Sequence, residues 1–164
     1  KVIFSHGKES GPWGSKIKRL VKIAQSMKLD IDSLDYRSTY NPDERVGILS
    51  DYLANEKREF VLVGSSMGGY VSLVNAMKLS PKGLFLLAPA LYMPNYAVQH
   101  YQQTCHIEIV HGWSDSIIPI EHSIQFCREN KTTLHLIEGD HSLRSSLSTI
   151  EPLFKQFLSV CINA

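Results

Sequence analysis

The chain has 164 residues, 43% of them apolar and 20% charged. That length and usage fit a single folded domain, read here as residues 1–164, and exclude a disordered chain. Lys plus Arg number 17 and Asp plus Glu 16, so the formal charge is +1. This balance removes the usual electrostatic case for a nucleic-acid or anionic-membrane partner.

No apolar run approaches the roughly 18–20 residues of a membrane span. The longest, around Gly83 to Met93, is accompanied by prolines and reads as a buried strand plus loop. Cys105, Cys127 and Cys161 are scattered, without a CxxC pair. They read as buried or incidental thiols in a reducing compartment rather than as a disulfide framework. Lys1 to Phe4 runs straight into a polar, Gly-rich loop and shows no signal peptide, so a cytoplasmic location is expected.

Short apolar runs alternate with amphipathic segments along the whole chain. Val2-Ile3-Phe4 is a strand ending at Ser5-His6-Gly7. From Ser15 to Lys28, Ile17, Leu20, Val21, Ala24 and Met27 share one helix face. Ile31 to Tyr36 is a strand, and Asp43 is expected to cap a helix carrying Val46, Leu49 and Leu53 on one side. Phe60 to Val63 is a buried-type strand, followed by a Gly-Ser turn and a helix over Gly69 to Leu79. Strands follow at Leu84 to Leu87 and Ile107 to Val110, then a helix marked by Ile120, Ile124 and Cys127. Leu134 to Ile137 is the last strand. Leu147, Ile150, Phe154, Phe157, Leu158 and Cys161 mark the last helix. Six strands alternating with helices predict an α/β fold whose mainly parallel sheet is covered on both faces. Sites in such sheets lie in the loops at the carboxyl ends of the strands.

One of those loops is Gly64-Ser65-Ser66-Met67-Gly68, a G-x-S-x-G pattern with Gly69 beyond it. Glycines on both sides permit a sharp strand-to-helix turn, and the serine then stands at a helix start that favours developing negative charge. A serine hydroxyl needs a base. His141, in Gly139-Asp140-His141-Ser142, directly follows the last strand. The base in turn needs a carboxylate to hold its tautomer. Asp115 lies just past the strand Ile107–Val110. Asp140 is the rival but adjoins His141, and neighbours on a turn seldom point at one another. Ser66, Asp115 and His141 are therefore the candidate nucleophile, acid and base. His6 reads as structural. No HExxH, paired-Cys, Rossmann or Walker spacing is present, so neither a metal nor a cofactor is expected.

In chain order these features resemble the α/β-hydrolase superfamily, most nearly compact bacterial serine esterases with a G-S-S-x-G-G elbow. The resemblance rests on Gly64–Gly68, on His111-Gly112-Trp113-Ser114-Asp115 with Pro119 beyond, on Gly139-Asp140-His141, and on His6-Gly7 as an HG segment. It implies a reduced α/β-hydrolase fold lacking the family's first two antiparallel strands. It also implies an oxyanion hole from the backbone N–H groups of Met67 and Lys8.

The substrate side is less defined. Residues 88–104 form only a short cover, which suggests an open cleft and modest selectivity. Leu91, Tyr92, Met93 and Tyr96 within it either line an acyl pocket or pack as core, and Trp13 and Trp113 are open to the same two readings. Lys16, Lys18, Arg19 and Lys22 crowd the first helix, as a solvated face or as a site for a phosphate-bearing carrier. The expected activity is hydrolysis of a small-molecule carboxylic ester through an acyl-enzyme on Ser66. A thioester substrate, or a non-catalytic binding protein of the same fold, are the alternatives. The oligomeric state is not legible.

Overall fold

The computed structural model describes residues 1–164. Its elements are β1 (Val2–Ser5), α1 (Ser15–Ser26), β2 (Ile31–Leu34), α2 (Pro42–Leu53), β3 (Val61–Ser65) and α3 (Met67–Leu79). They continue with β4 (Gly83–Leu87), β5 (His106–Gly112), α4 (Ile120–Asn130), β6 (Thr133–Ile137) and α5 (Leu147–Asn163). The six strands form one sheet in the order β2-β1-β3-β4-β5-β6, and every neighbouring pair is parallel. No helix is long and apolar enough to cross a membrane.

The period-2 alternation of side chains sorts the core into two halves. Val2, Phe4, Val61, Val63, Phe85 and Val110 face α1 and α5, meeting Ile17, Leu20, Ile150, Phe154 and Phe157. Ile3, Leu62, Leu84, Leu86 and Ile109 face the other way, onto Val46 and Leu49 of α2, Tyr70 to Val74 of α3, and Phe126 of α4. Because β1, β3 and β4 are buried on both faces, they read as continuous apolar runs.

This layering creates the crevice. From β1 the chain leaves onto the α1 face and goes outward to β2. From β3 it leaves onto the opposite face, through α3, and goes to β4. The carboxyl ends of β1 and β3 thus lie side by side where the chain direction divides, the position at which open α/β sheets bind ligands.

One capping expectation is corrected. Asn41, not Asp43, caps α2: its Oδ1 accepts from the N–H groups of Asp43 at 2.9 Å and Glu44 at 3.3 Å, with Pro42 opening the helix. Asp43 is instead drawn toward the cover. It accepts from the Tyr70 hydroxyl at 2.6 Å and from Ala97 N–H at 3.1 Å.

Gly68, in the first turn of α3, has no space for a Cβ, which would run into the backbone carbonyls of Ser5 and His6. Helix propensity alone would make Gly68→Ala stabilising by about 1 kcal/mol. The contact reverses the sign, since backbone must move to relieve it at a cost of roughly 1–3 kcal/mol or more. Urea unfolding of Gly68→Ala should therefore give a lower midpoint than the parent protein. A higher midpoint would show that the two loops are not tightly seated.

Candidate active site

Ser66 sits at the turn from β3 into α3 with φ 55° and ψ −120°, a backbone conformation that non-glycine residues seldom adopt. The surroundings hold it there. Its N–H donates to Leu87 C=O at 3.0 Å, and its own carbonyl accepts from Gly69 and Ala90 N–H, both at 2.9 Å. A Cβ on Gly64 would strike the Gly68 backbone, so the turn closes only with glycine there.

The structure brings Ser66, His141 and Asp115 together from three different loops. Ser66 Oγ donates to His141 Nε2 at 3.0 Å, and His141 Nδ1 donates to Asp115 Oδ2 at 2.7 Å. The loops after β5 and β6 are tied by Trp113 N–H to Ile137 C=O at 2.9 Å and Ser114 N–H to Gly139 C=O at 3.0 Å. Those bonds set the spacing of the acid and the imidazole.

The Asp115 side chain is wholly buried. Oδ1 accepts from Ile117 and Ile118 N–H, both at 2.8 Å, and Oδ2 accepts from His111 Nε2 at 2.9 Å as well as from His141. Burial pushes its pKa up. The hydrogen bond from His141 and those from Ile118 and Ile117 outweigh burial, so the carboxyl lies below its ordinary value and stays ionised. Asp140 takes no part in this: its Oδ1 accepts from Ser142 N–H at 2.9 Å, Ser142 Oγ at 2.6 Å and Leu143 N–H at 3.2 Å, bracing its own turn.

His111 was not singled out in the sequence as a member of the site. It is fully buried at the end of β5, accepting from Ser123 Oγ at 2.7 Å through Nδ1 and donating from Nε2 to Asp115 and to Ile118 C=O. Its imidazole thus holds one N–H on the same carboxylate oxygen that accepts from His141. It stands in the segment His111–Asp115 that carries the resemblance, but that segment points to Asp115, and the spacing alone does not say that the imidazole turns back onto that carboxylate.

The HG segment is pinned from beneath. His6 Nε2 accepts from Tyr36 N–H at 2.9 Å, which leaves Nδ1 to donate to Gly7 C=O at 2.7 Å. Arg45 of α2 is wholly buried and pairs with no carboxylate; it donates to the carbonyls of Gly7 at 3.1 Å, Lys8 at 3.3 Å and Thr39 at 2.8 Å. Gly7 C=O is therefore fixed toward Arg45. In a trans peptide the following N–H points the opposite way, so Lys8 N–H is turned away from Arg45, and no protein acceptor takes it. Met67 opens α3, and its N–H has no partner within the helix. Gly7, Lys8, Ser66 and Met67 all line one cavity of about 770 Å³.

The lining corrects part of the expected pocket. Met93 and Tyr96 line the cavity, with Ala90, Pro94 and Ile117. Leu91 does not, being fully buried in the core beneath the cover. Tyr92 turns away at φ 54°, packs on Tyr101 and His122, and donates its hydroxyl to Glu129 at 2.9 Å. Trp113 is 58% exposed and lies outside the lining, as does Trp13. Lys16, open in the sequence to a solvated or an anion-binding reading, also lines it, as do Tyr40 and Arg144, which the sequence did not indicate.

Comparison with solved structures gives the class of protein: the fold is that of the α/β-hydrolase superfamily. A Xanthomonas campestris pv. campestris protein assigned to the alpha/beta superfamily of hydrolases is 25% identical, with a TM-score of 0.89 over 96% of this chain and 97% of its own. Est1E from Butyrivibrio proteoclasticus is 19% identical, with a TM-score of 0.83 over 99% and 88%. A serine hydrolase without a lid, also from Xanthomonas campestris, is 15% identical, with a TM-score of 0.69 over 94% and 79%. The chain belongs to the family described as Uncharacterised protein family (UPF0227), whose model matches residues 1–101. No curated protein matches it.

Burial holds both His6 and His111 below the ordinary histidine value of 6.5. The unfolded chain then takes up these protons first as pH falls, so their contribution to stability is complete above pH 6.5 and is lost as pH drops through the folded values. Unfolding free energy should decline from pH 6.5 toward about pH 5, before the carboxylates titrate. The slope should be shallower in His111→Gln, as denaturant titrations at stepped pH would show.

Proposed function

We propose that this protein is a serine hydrolase that cleaves carboxylic esters through an acyl-enzyme on Ser66, with small or moderate acyl groups preferred. The observation that carries the reading is the hydrogen-bonded chain from Ser66 Oγ through His141 to Asp115, ending in an open cavity. Ser66 Oγ attacks the ester carbonyl carbon while His141 Nε2 takes its proton. The carbonyl π pair moves onto oxygen, where the N–H groups of Met67 and Lys8 receive it. As the tetrahedral adduct collapses, the bond to the leaving oxygen breaks, and His141 returns the proton to that oxygen. Water then attacks the acyl carbon while His141 Nε2 takes its proton. As this second adduct collapses, the bond to Ser66 Oγ breaks, His141 returns the proton to Ser66 Oγ, and the acid leaves. Asp115 stays ionised throughout, holding Nδ1–H and stabilising the imidazolium. Ser66, His141 and the attacking water account for every proton transfer, so the cycle calls for no metal or cofactor. A small-molecule ester is the partner this reading implies, and a thioester would follow the same steps with a thiol leaving.

Ser66→Ala should abolish labelling by a fluorophosphonate probe and nearly all hydrolysis of an activated aryl ester, with the fold retained by circular dichroism. Wild-type protein that neither labels nor turns over would indicate a binding protein of this fold. Labelling that persists in Ser66→Ala would place the nucleophile elsewhere.

The two aspartates make a sharper test. Asp115→Asn removes the charge that stabilises imidazolium and favours the wrong tautomer, an effect of about 10⁴ in the serine-protease precedent. Asp140 touches only its own turn, so Asp140→Asn should cost about tenfold or less. Rates of both variants on one aryl ester at several pH values should show this order, and the reverse order would assign the acid to Asp140.

A further inference from the structure

The cavity has two unlike walls, and they follow the two helix layers. On the α2–α3–α4 side the cover contributes Ala90, Met93, Pro94 and Tyr96. On the α1–α5 side the lining is formed by the start of α1 and the loop after β6, with Lys16 and Arg144. Lys18, Arg19 and Lys22 of the same basic helix are exposed and lie outside the cavity. Lys16 alone is turned inward.

Neither cation has a carboxylate partner. Lys16 Nζ makes one hydrogen bond, to Ser142 C=O at 3.0 Å, which leaves two of its three donors free. The Arg144 guanidinium makes no hydrogen bond and no ion pair; only its backbone N–H is engaged, by Ser142 Oγ. The carboxylates nearby are committed: Asp115 to its four donors, Asp140 to its own turn. Glu9 is the one acidic residue in the lining, against Lys8, Lys16 and Arg144. The first turn of α1, beside Lys16, holds no acidic residue and no side-chain cap, so its N–H dipoles add to the positive potential. Burial and the neighbouring Arg144 lower the Lys16 pKa to about 8. The two like charges repel across the cavity they both line, and an anion bound there relieves the repulsion.

From this arrangement we propose that the Lys16–Arg144 wall receives a carboxylate or phosphate carried by the leaving alcohol of the substrate, while the acyl chain lies along Met93, Pro94 and Tyr96. The inference rests on the hydrolase reading above and fixes its polarity. His141 must protonate the leaving oxygen, so the alcohol occupies the His141 side. Lys16 is bonded to the carbonyl of the very next residue.

The test compares kcat/KM for butyrate esters of 3-hydroxybenzamide, 3-hydroxybenzoate and 3-hydroxyphenyl phosphate, with a glutarate monoester of 3-hydroxybenzamide carrying the charge on the acyl side. The wild type should favour the two esters with anionic leaving groups over the neutral one by about tenfold or more, the value of one charge-assisted hydrogen bond. The glutarate ester should gain nothing. A larger gain with phosphate than with carboxylate, or the reverse, identifies which anion the wall fits. Lys16→Met and Arg144→Gln should each bring the ratio of anionic to neutral esters toward one, while Lys18→Met, on the solvated face, should leave that ratio as it is.

Ser66-dependent hydrolysis without a charge preference, or a preference untouched by Lys16→Met and Arg144→Gln, would overturn the wall and leave the hydrolase reading standing. Preference for the glutarate ester would overturn the assigned polarity. Binding is read separately, by calorimetry with 3-hydroxybenzoate and 3-hydroxybenzamide. Tighter binding of the acid, weakened about tenfold by Lys16→Met, supports the wall even if no ester turns over, and equal binding overturns it.

Discussion

The site depends on one steric constraint: the elbow and the end of β1 approach so closely that no side chain fits between them. Gly68 lies against the carbonyls of Ser5 and His6, leaving no room for a Cβ. Once this contact is made, the nucleophile's position relative to the HG segment is no longer adjustable. The strained backbone of Ser66 is tolerated because its N–H is held by the end of β4, at Leu87, and its C=O by the loop after it, at Ala90. Arg45 extends the constraint to the other side of the loop. A buried guanidinium without a carboxylate is an expensive group, stable here because three carbonyls and the face of Tyr36, 5.8 Å away, surround it. In exchange it fixes the Gly7–Lys8 peptide plane.

Asp115 organises the opposite end of the hydrogen-bonded chain. A wholly buried carboxylate would ordinarily take up a proton. Four donors converge on it instead, two from the backbone of its own turn and two from imidazoles. The turn donors engage Oδ1 and the imidazoles Oδ2, so the carboxylate cannot rotate without losing bonds at both oxygens. His111 and His141 meet there as hydrogen-bond donors to one oxygen, which is a different geometry from ligands converging on a cation.

The sequence disclosed the layers and the three side chains that meet as Ser66, His141 and Asp115, because both leave a periodic or compositional mark. Continuous apolar runs at Val2–Phe4, Val61–Val63 and Leu84–Leu87 are what a strand buried on both faces requires, and the glycines flanking Ser66 are what the turn requires. Irregular segments leave no such mark. Between Ala88 and Thr104 nothing repeats, so the sequence could not separate Met93 and Tyr96, which face the cavity, from Leu91 and Tyr92, which do not. The outcome there is set by left-handed backbone at Ala88, Tyr92 and Asn95, none of them glycine. Arg45 was hidden for the opposite reason. A charge in the first turn of a helix, such as Arg45, the fourth residue of α2, ordinarily reads as solvated, and only the tertiary approach of the HG loop buries it. Asp43 likewise sits where a cap is expected, yet Asn41 reaches the first free N–H groups, and Asp43 is left to serve the cover.

That reassignment of Asp43 bears on how the two walls differ. The apolar wall has no regular secondary structure, yet it is fastened at many points: Ala97 to Asp43, Val98 to the Tyr70 hydroxyl, and Thr104 to Ala76 C=O. Gln99 bridges the carbonyls of Met93 and Tyr96, both at 2.8 Å, so the two side chains that face the cavity are held by one amide. Such a wall presents a fixed apolar surface rather than a movable lid. The facing wall is built the other way, from the start of α1 and the loop after β6, carrying long side chains whose polar ends are incompletely bonded. A rigid apolar surface opposite adaptable cations orients a substrate by charge first and fits its chain second. With Ser66 between the two walls, the ester proposed above would have its acyl and alcohol ends sorted by unlike surfaces before any bond is broken.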